Sequence, residues 1–242
     1  MEGPSLIILK EEVQSFIGKK IEKIGGNSKT DKERLINQKI LDFKTWGKHF
    51  IICFKDFSVR IHFLMFGSYR INEKKEMPAR LSLQFKKGEL NFYTCSVLII
   101  DEDINEVYDW EADVLSDAWN PKKAIASLKR LEEIMVCDVL LNQEIFAGVG
   151  NIIKNEVLFR IKIHPKSLVK SLSSAKLKEL VKEARNYSFN FYKWKKVYQL
   201  RKHWLIYKKK KCPRCNIPVI MEHTGKVKRL SFFCNNCQVL NN

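Results

Sequence analysis

No run of apolar residues in the 242-residue sequence approaches the roughly 20 that a membrane-spanning helix needs. The first residues, MEGPSLIILKEEV, lack a basic segment followed by a long apolar stretch, so no secretory signal is expected. Without export, the seven cysteines belong in a reducing compartment, and a disulfide framework is not expected. The expected location is intracellular, cytoplasmic or nucleoid-associated. There is no internal repeat and no low-complexity tract. Acidic residues are scarce in one half only. Residues 1–110 carry 18 Lys+Arg against 16 Asp+Glu, while residues 111–242 carry 26 against 11, which divides the formal net charge of +17 into +2 and +15. A strongly basic half beside a near-neutral one calls for a polyanionic partner. Nucleic acid leads, ahead of an anionic membrane surface, because the basic half has no amphipathic helix flanking an apolar anchor.

A hydrophobic content of 45% and this length suffice for one large or two ordinary domains with real cores. Residues 1–20 read as a helix, with Leu6, Ile7, Val13, Phe16 and Ile17 near one face and Gly18 able to end it. Residues 49–54, 59–66, 80–85, 89–94 and 96–100 are short, mostly apolar runs separated by turn signals, which predicts strands and a β-sandwich or barrel. The acidic segment 101–120 is the candidate connection between domains. From Pro121 the apolar period becomes helical, through Ala124, Leu128, Leu131, Met135 and Val139. Further helices are expected around Ile145, over 151–159 and over 173–192. The segment 190–211 is basic and aromatic.

The stretch LLNQEIFAGVGNIIKNEVLFRIKIHP (140–165) is apolar and broken once, at Gly148-Val149-Gly150-Asn151. Glycines allow a sharp turn and a close backbone approach. Asn151 can cap the following helix through its side-chain oxygen, and the new helix N-terminus can hold a phosphate. The alternative is an ordinary buried helix–turn–helix.

Cys212-Pro-Arg-Cys215 is followed, after 18 residues, by Cys234-Asn-Asn-Cys237. Two CxxC knuckles at this separation point to one zinc ion held by four thiolates, a closed structural site with a hairpin between the knuckles. Lys226, Lys228 and Arg229 lie on that hairpin, either as a solvated basic face or as a finger facing phosphate. Cys53, Cys95 and Cys137 sit in apolar surroundings and read as small core residues.

Four features occur in one order: an N-terminal Glu-Gly-Pro, a β-rich first half, the GVGN turn between helices, and a CxxC…CxxC hairpin with Arg229 five residues before its third cysteine. Together they resemble the formamidopyrimidine-DNA glycosylase and endonuclease VIII family of base-excision repair enzymes. The resemblance implies an α+β fold: an N-terminal helix plus β-sandwich domain (1–110), a helix–two-turn–helix DNA-binding domain (111–205) and a zinc-finger hairpin (206–242). It implies a monomer acting on DNA that contains damaged bases or abasic sites. Asn151 and Arg229 match the family's phosphate-gripping asparagine and finger arginine. Lys48, in Trp46-Gly47-Lys48-His49, matches its strand-turn lysine. Leu64, Met65 and Phe66 fall in the loop that supplies the wedge filling the gap left by a flipped base, with strand core as their other reading. No Arg-Arg-Phe-Gly loop occurs between 90 and 120, which favours an endonuclease VIII-like branch and oxidised pyrimidines.

Two departures stand out. The family usually begins Met-Pro-Glu, and the proline amine exposed after methionine removal is the nucleophile. Here the order is Met1-Glu2-Gly3-Pro4, and the nitrogen of Pro4 is locked in a peptide bond. If Met1 is retained, as the large charged Glu2 favours, its α-amine takes the nucleophile's register. An α-amine titrates near ~8, so a useful fraction is neutral at pH 7. Met1 would then form the Schiff base, with Glu2 as general acid/base and Lys48 assisting, giving glycosylase and AP-lyase activity. The alternative is a non-catalytic or weakly catalytic binder of damaged DNA that has lost its nucleophile. The second departure is Asn142, where the family often has Asp.

Overall fold

The structure is a computed structural model and describes residues 1–241. It divides into two compact units, one comprising Met1 and Gly3–Asp109, the other Glu2 and the chain from Trp110 onward.

In the first unit, α1 (Gly3–Glu12) buries Leu6 and Leu9 and is followed by a 3-10 turn at Gln14–Phe16. The helix expected over 1–20 is therefore shorter, and Gly18, at φ 79°, closes the turn rather than the helix. Six strands follow: β1 (Ile21–Gly25), β2 (Asp42–Trp46), β3 (His49–Cys53), β4 (Ser58–Ile71), β5 (Leu81–Phe85) and β6 (Glu89–Ile100). They form one antiparallel sheet in the order β1-β5-β6-β4-β3-β2. Phe43, Phe50, Ile52, Val59, Ile61, Leu81, Leu83 and Phe92 pack with α1 into a single core. A short helix, α2 (Ile104–Val107), capped by the Asp103 carboxylate, follows β6.

Two turns in this sheet position candidate residues. β2 and β3 are joined by Gly47-Lys48 alone, with Trp46 paired to His49 and Gly47 at φ 54°. Lys48 thus sits at the tip of a two-residue hairpin. Between β4 and β6 the register slips: Phe63 pairs with Cys95 and Ser68 with Tyr93, so Leu64 to Gly67 bulge out opposite Thr94 alone. Gly67 sits so close to Phe63 and the Thr94 carbonyl that an added Cβ would lie 2.8–2.9 Å from them. Thr94, at φ 48°, is the irregular point that made 89–94 and 96–100 read as separate strands.

In the second unit, α3 (Pro121–Lys129) begins with Pro121 at its first turn, and its amides at Lys122 and Lys123 donate to the Asn120 side chain. The helical pattern expected to run on to Val139 is interrupted, and only α4 (Val136–Val139) resumes it. Helix α5 (Asn151–Arg160) and the 23-residue α6 (Ser174–Lys196) complete the helical core, with α6 extending beyond the expected 192. Val136, Phe146, Val149, Ile153, Val157, Leu180, Val181, Ala184 and Tyr187 are its centre. The hairpin of β7 (Ile220–Thr224) and β8 (Arg229–Phe233) follows, and Phe159, Ile206 and Phe232 pack beside Cys212 and Cys234. No helix among the described residues is long and apolar enough to cross a membrane.

Candidate nucleic-acid interface and metal centre

In the first unit the candidate groups lie around the β3–β4 pair. His49 and His62 face each other in register, with ring centroids 5.3 Å apart and the rings edge-on. Trp46 and Tyr108 pack on the same side, at 5.6 Å and 5.6 Å from His49. Burial holds the His62 imidazole below its ordinary pKa, and the cations at the Met1 amine, Lys48 and Arg60 push it further the same way. Burial, with Arg60, His62 and Lys48, lowers His49 to about 3. A neutral histidine pair thus stands among the Met1 amine, Lys48 and Arg60, a cluster suited to an anion. The Met1 side chain packs against the sheet's core. His62 lies two residues before Leu64, yet nothing in the sequence marked it, because a histidine in an apolar strand usually reads as core.

The bulge between β4 and β6 settles the exposure of the three apolar candidates. Phe63 is buried, whereas Leu64, Met65 and Phe66 are 48%, 66% and 80% exposed. None of the three packs in the sheet core, so the alternative reading as strand core does not apply. Three adjacent apolar side chains held in water need an account outside the fold.

In the second unit α5 is a hub of polar contacts. Its N-cap is Gly150, and Asn151 is already helical, so the expected cap by the Asn151 side chain does not form. The Glu2 carboxylate takes that role, accepting from the amides of Ile152 at 2.7 Å and Ile153 at 3.3 Å. A Cβ on Gly150 would overlap the Glu2 carboxyl group, which accounts for glycine there. The helix N-terminus expected to hold a phosphate thus already holds a carboxylate. The Asn151 amide instead donates to the Leu230 carbonyl at 3.0 Å, one residue from Arg229. Lys154 donates to Ser231 Oγ at 2.8 Å, and Asn155 accepts from the Phe232 amide at 2.7 Å. Burial lowers the Lys154 amine to about 8. Further along, the wholly buried Glu156 accepts from the amides of Leu205, Ile206 and Tyr207 at 2.9–3.0 Å. The Asp138 carboxylate accepts from the amides of Lys226 and Val227. Hairpin and connector are therefore bracketed on α4 and α5, and Arg229 is left exposed. Sequence reading missed Asp138, Lys154, Asn155 and Glu156, since their partners lie 49 to 89 residues away.

Cys212, Cys215, Cys234 and Cys237 place their sulfurs within 4.8 Å of one another. The Cys212 and Cys237 sulfurs are 3.8 Å apart. A tetrahedron with metal–sulfur bonds of about 2.3 Å has edges of about 3.8 Å, so the set fits a tetrahedral metal ion. Backbone amides of Arg214 and Cys215 point at Cys212, and those of Asn236 and Cys237 at Cys234. Each CxxC turn therefore presents its first sulfur to two N–H donors, the arrangement that stabilises thiolates.

Two family models match the chain: the formamidopyrimidine-DNA glycosylase N-terminal domain over residues 7–95 and the formamidopyrimidine-DNA glycosylase H2TH domain over residues 111–187. Endonuclease 8-like 3 of Bos taurus is 34% identical over 223 residues, covering 88% of this chain and 37% of that protein. Endonuclease 8-like 2 of Bos taurus is 34% identical over 196 residues, covering 74% of this chain and 58% of that protein. The chain belongs to the formamidopyrimidine-DNA glycosylase and endonuclease VIII family. It spans little more than a third of the length of its endonuclease 8-like 3 relatives. The family fold extends over the whole chain. A Lactococcus lactis formamidopyrimidine-DNA glycosylase, non-covalently bound to DNA containing an AP site, superposes with a TM-score of 0.86 at 23% identity, covering 98% of this chain and 99% of that one. A viral DNA glycosylase gives 0.85 at 21% identity, covering 99% and 100%.

Proposed function

We propose that this family member is a base-excision DNA glycosylase with AP-lyase activity, acting on oxidised bases, pyrimidines foremost. The observation that carries the DNA-binding half is the hydrogen bond from Asn151 to the Leu230 carbonyl, which ties the GVGN turn to the exposed Arg229 on one surface. Asn151 and Arg229 are the phosphate-binding pair in this reading. The +15 charge of residues 111–242 supports the same polyanionic ligand. Leu64, Met65 and Phe66 fill the space of an extruded nucleotide, which the exposure of all three permits.

The chemistry begins at the N-terminus. The neutral α-amine of Met1 attacks C1′ of the damaged nucleotide, and the base departs with a proton. Glu2 relays protons at the sugar. The ring opens to a Schiff base between Met1 N and C1′. Loss of a C2′ proton then expels the 3′ phosphate. Lys48, on its hairpin tip with the neutral His49–His62 pair behind it, supplies positive charge for a phosphate oxygen. The four cysteines hold one structural zinc ion, which fixes the finger and takes no part in the bond changes.

One observation favours the alternative of a damaged-DNA binder without turnover. Glu2 caps α5, so its presence has a structural account apart from catalysis. The test is borohydride reduction on duplex DNA with a single abasic site. Covalent trapping together with release of oxidised pyrimidines supports the enzyme. Tight, salt-sensitive binding with neither trapping nor base release supports the binder and refutes the enzyme.

A further inference from the structure

From Ala184 to Met221 the sequence contains no acidic residue and eleven Lys or Arg. In the middle of this run α6 ends in a tight reversal. The Tyr198 amide donates to the Lys195 carbonyl at 3.0 Å and the Gln199 amide to the Trp194 carbonyl at 2.8 Å. This pair of bonds is the Schellman closure, whose left-handed residue is usually glycine. Here that residue is Tyr198, at φ 58° and 94% exposed. A tyrosine is thus held in a conformation that favours glycine, and its ring packs against almost nothing in the protein. Val197 beside it is 57% exposed. The base beneath is rigid. Trp194 stacks on His203 at 4.1 Å with only 7° between the ring planes, and Arg160 donates to the His203 carbonyl. This folds the 3-10 turn Leu200–His203 back against the end of α6 and brings Arg201 and Lys202 to the reversal. Lys193, Lys195, Arg201 and Lys202 make no ion pair among the described residues.

Cations in the last turn of a helix complement its dipole, but that does not explain an exposed tyrosine in a glycine position. Nor do two apolar residues make a membrane-inserting face, since the apolar stripe of α6 (Leu177, Leu180, Val181, Ala184, Tyr187, Phe191) is already buried. An exposed aromatic ring among unpaired cations is the arrangement that receives an unpaired base and its phosphates, because ring and base stack while the cations follow the backbone. We propose that the reversal at the end of α6 binds single-stranded DNA, with a base stacked on Tyr198 and phosphates on Lys193, Lys195, Arg201 and Lys202. The proposal rests on the reading of the chain as a DNA-binding protein and adds a contact surface distinct from Asn151 and Arg229.

The test is fluorescence anisotropy of the full chain with labelled oligo(dT) and with a duplex of equal length, at several salt concentrations. Tyr198→Gly removes the ring and relieves the backbone, so it should unfold no earlier than the wild type. It should weaken oligo(dT) binding by about 5- to 100-fold and change duplex binding less than twofold. Tyr198→Trp should keep the affinity for oligo(dT). Replacing Lys193, Lys195 and Arg201 together with alanine should flatten the slope of log K against log salt by roughly 2, at about 0.7 per single-strand phosphate. Oligo(dT) binding by Tyr198→Gly within twofold of wild type overturns the proposal. So does an equal loss on duplex and single strand, or a Tyr198-dependent binding to phosphatidylserine vesicles without one to oligo(dT). Absence of borohydride trapping with Tyr198-dependent oligo(dT) binding intact refutes the glycosylase reading and leaves this one standing.

Discussion

Replacing Glu156 with glutamine changes one oxygen for one NH2 group and tests how the finger is held. In the native protein the carboxylate is wholly buried and receives three consecutive amides, those of Leu205, Ile206 and Tyr207, with Arg160 3.7 Å away. Hydrogen bonds to a charged acceptor contribute about 1.5–3 kcal/mol each, and neutral ones about 0.5–1.5. If the glutamine carbonyl keeps the position of Oε1, all three amides still find an oxygen, but each bond loses its charge-assisted part, about 1 kcal/mol. The new NH2 group then turns its hydrogens toward the Leu205 amide and Arg160, both donors. The three bonds together lose about 3 kcal/mol, and the opposed donors add to that. Glu156→Ala leaves the three connector amides, one of them buried, without this acceptor and should lose more, about 4–5 kcal/mol. At about 2–4 °C per kcal/mol the glutamine variant should melt roughly 6–12 °C lower. Thermal unfolding followed by near-ultraviolet circular dichroism reads this, since Trp204 and Tyr207 flank the connector. A glutamine variant within 0.5 kcal/mol of wild type would refute the reasoning, because the connector would then be held by its apolar contacts alone.

Four further outcomes are expected. Arg229→Ala and Asn151→Ala should each weaken binding to abasic duplex; Arg229→Ala should also reduce the salt slope by about 0.9 for one lost charged contact, while the uncharged Asn151 leaves the slope unchanged; undiminished binding in both removes them from the grip. Met65→Ala and Phe66→Ala, at 66% and 80% exposure, should leave stability within about 0.5 kcal/mol while base release falls; full activity in the double variant refutes the wedge. Burial lowers the folded pKa of His49 from 6.5 to about 3, so its contribution is complete above pH 6.5 and fades as pH falls toward 3. Each pH unit in that window should lose up to about 1.4 kcal/mol, and a His49→Phe variant should show a flatter stability profile in urea titrations between pH 6.5 and 4; a profile as steep as wild type refutes the assignment. Chelation of the four-cysteine site should release one zinc ion per chain by mass spectrometry and abolish duplex binding, and restored zinc should recover it; unaltered binding after zinc loss would show that the bracket on α5 suffices alone.

The cysteine knuckles were legible in the sequence because metal spacing is local: each CxxC turn forms its own half of the site. The bulge at Leu64–Gly67 was legible only as a loop resemblance. Its geometry depends on Thr94 across the sheet adopting φ 48°, which no pattern along β4 encodes. Helix α5 shows the limit most clearly. Lys154, Asn155 and Glu156 look like a solvated stripe between apolar residues, yet all three are buried. Their partners are at 230–232 and 205–207, and periodicity carries no information about partners so distant in the chain. The same remoteness hid the cap of α5. Asn151 has the right residue type for capping but lies one residue inside the helix, so Glu2 supplies the acceptor and the asparagine amide turns to Leu230. The split of the long helix expected from Pro121 to Val139 has a similar cause. Residues 134 and 136 pair with the segment 167–169 through backbone hydrogen bonds, and those bonds displace a helix that the apolar spacing alone permits.

On the glycosylase reading the α-amine of Met1 is the nucleophile. Its most direct test is peptide mass mapping of the borohydride-trapped complex with abasic DNA, on protein whose N-terminus has been verified by intact mass. The reduced sugar should lie on the peptide that begins at Met1, and trapping should be lost when a residue is fused before Met1. A cross-link on Lys48, or trapping undiminished by the fusion, would contradict it.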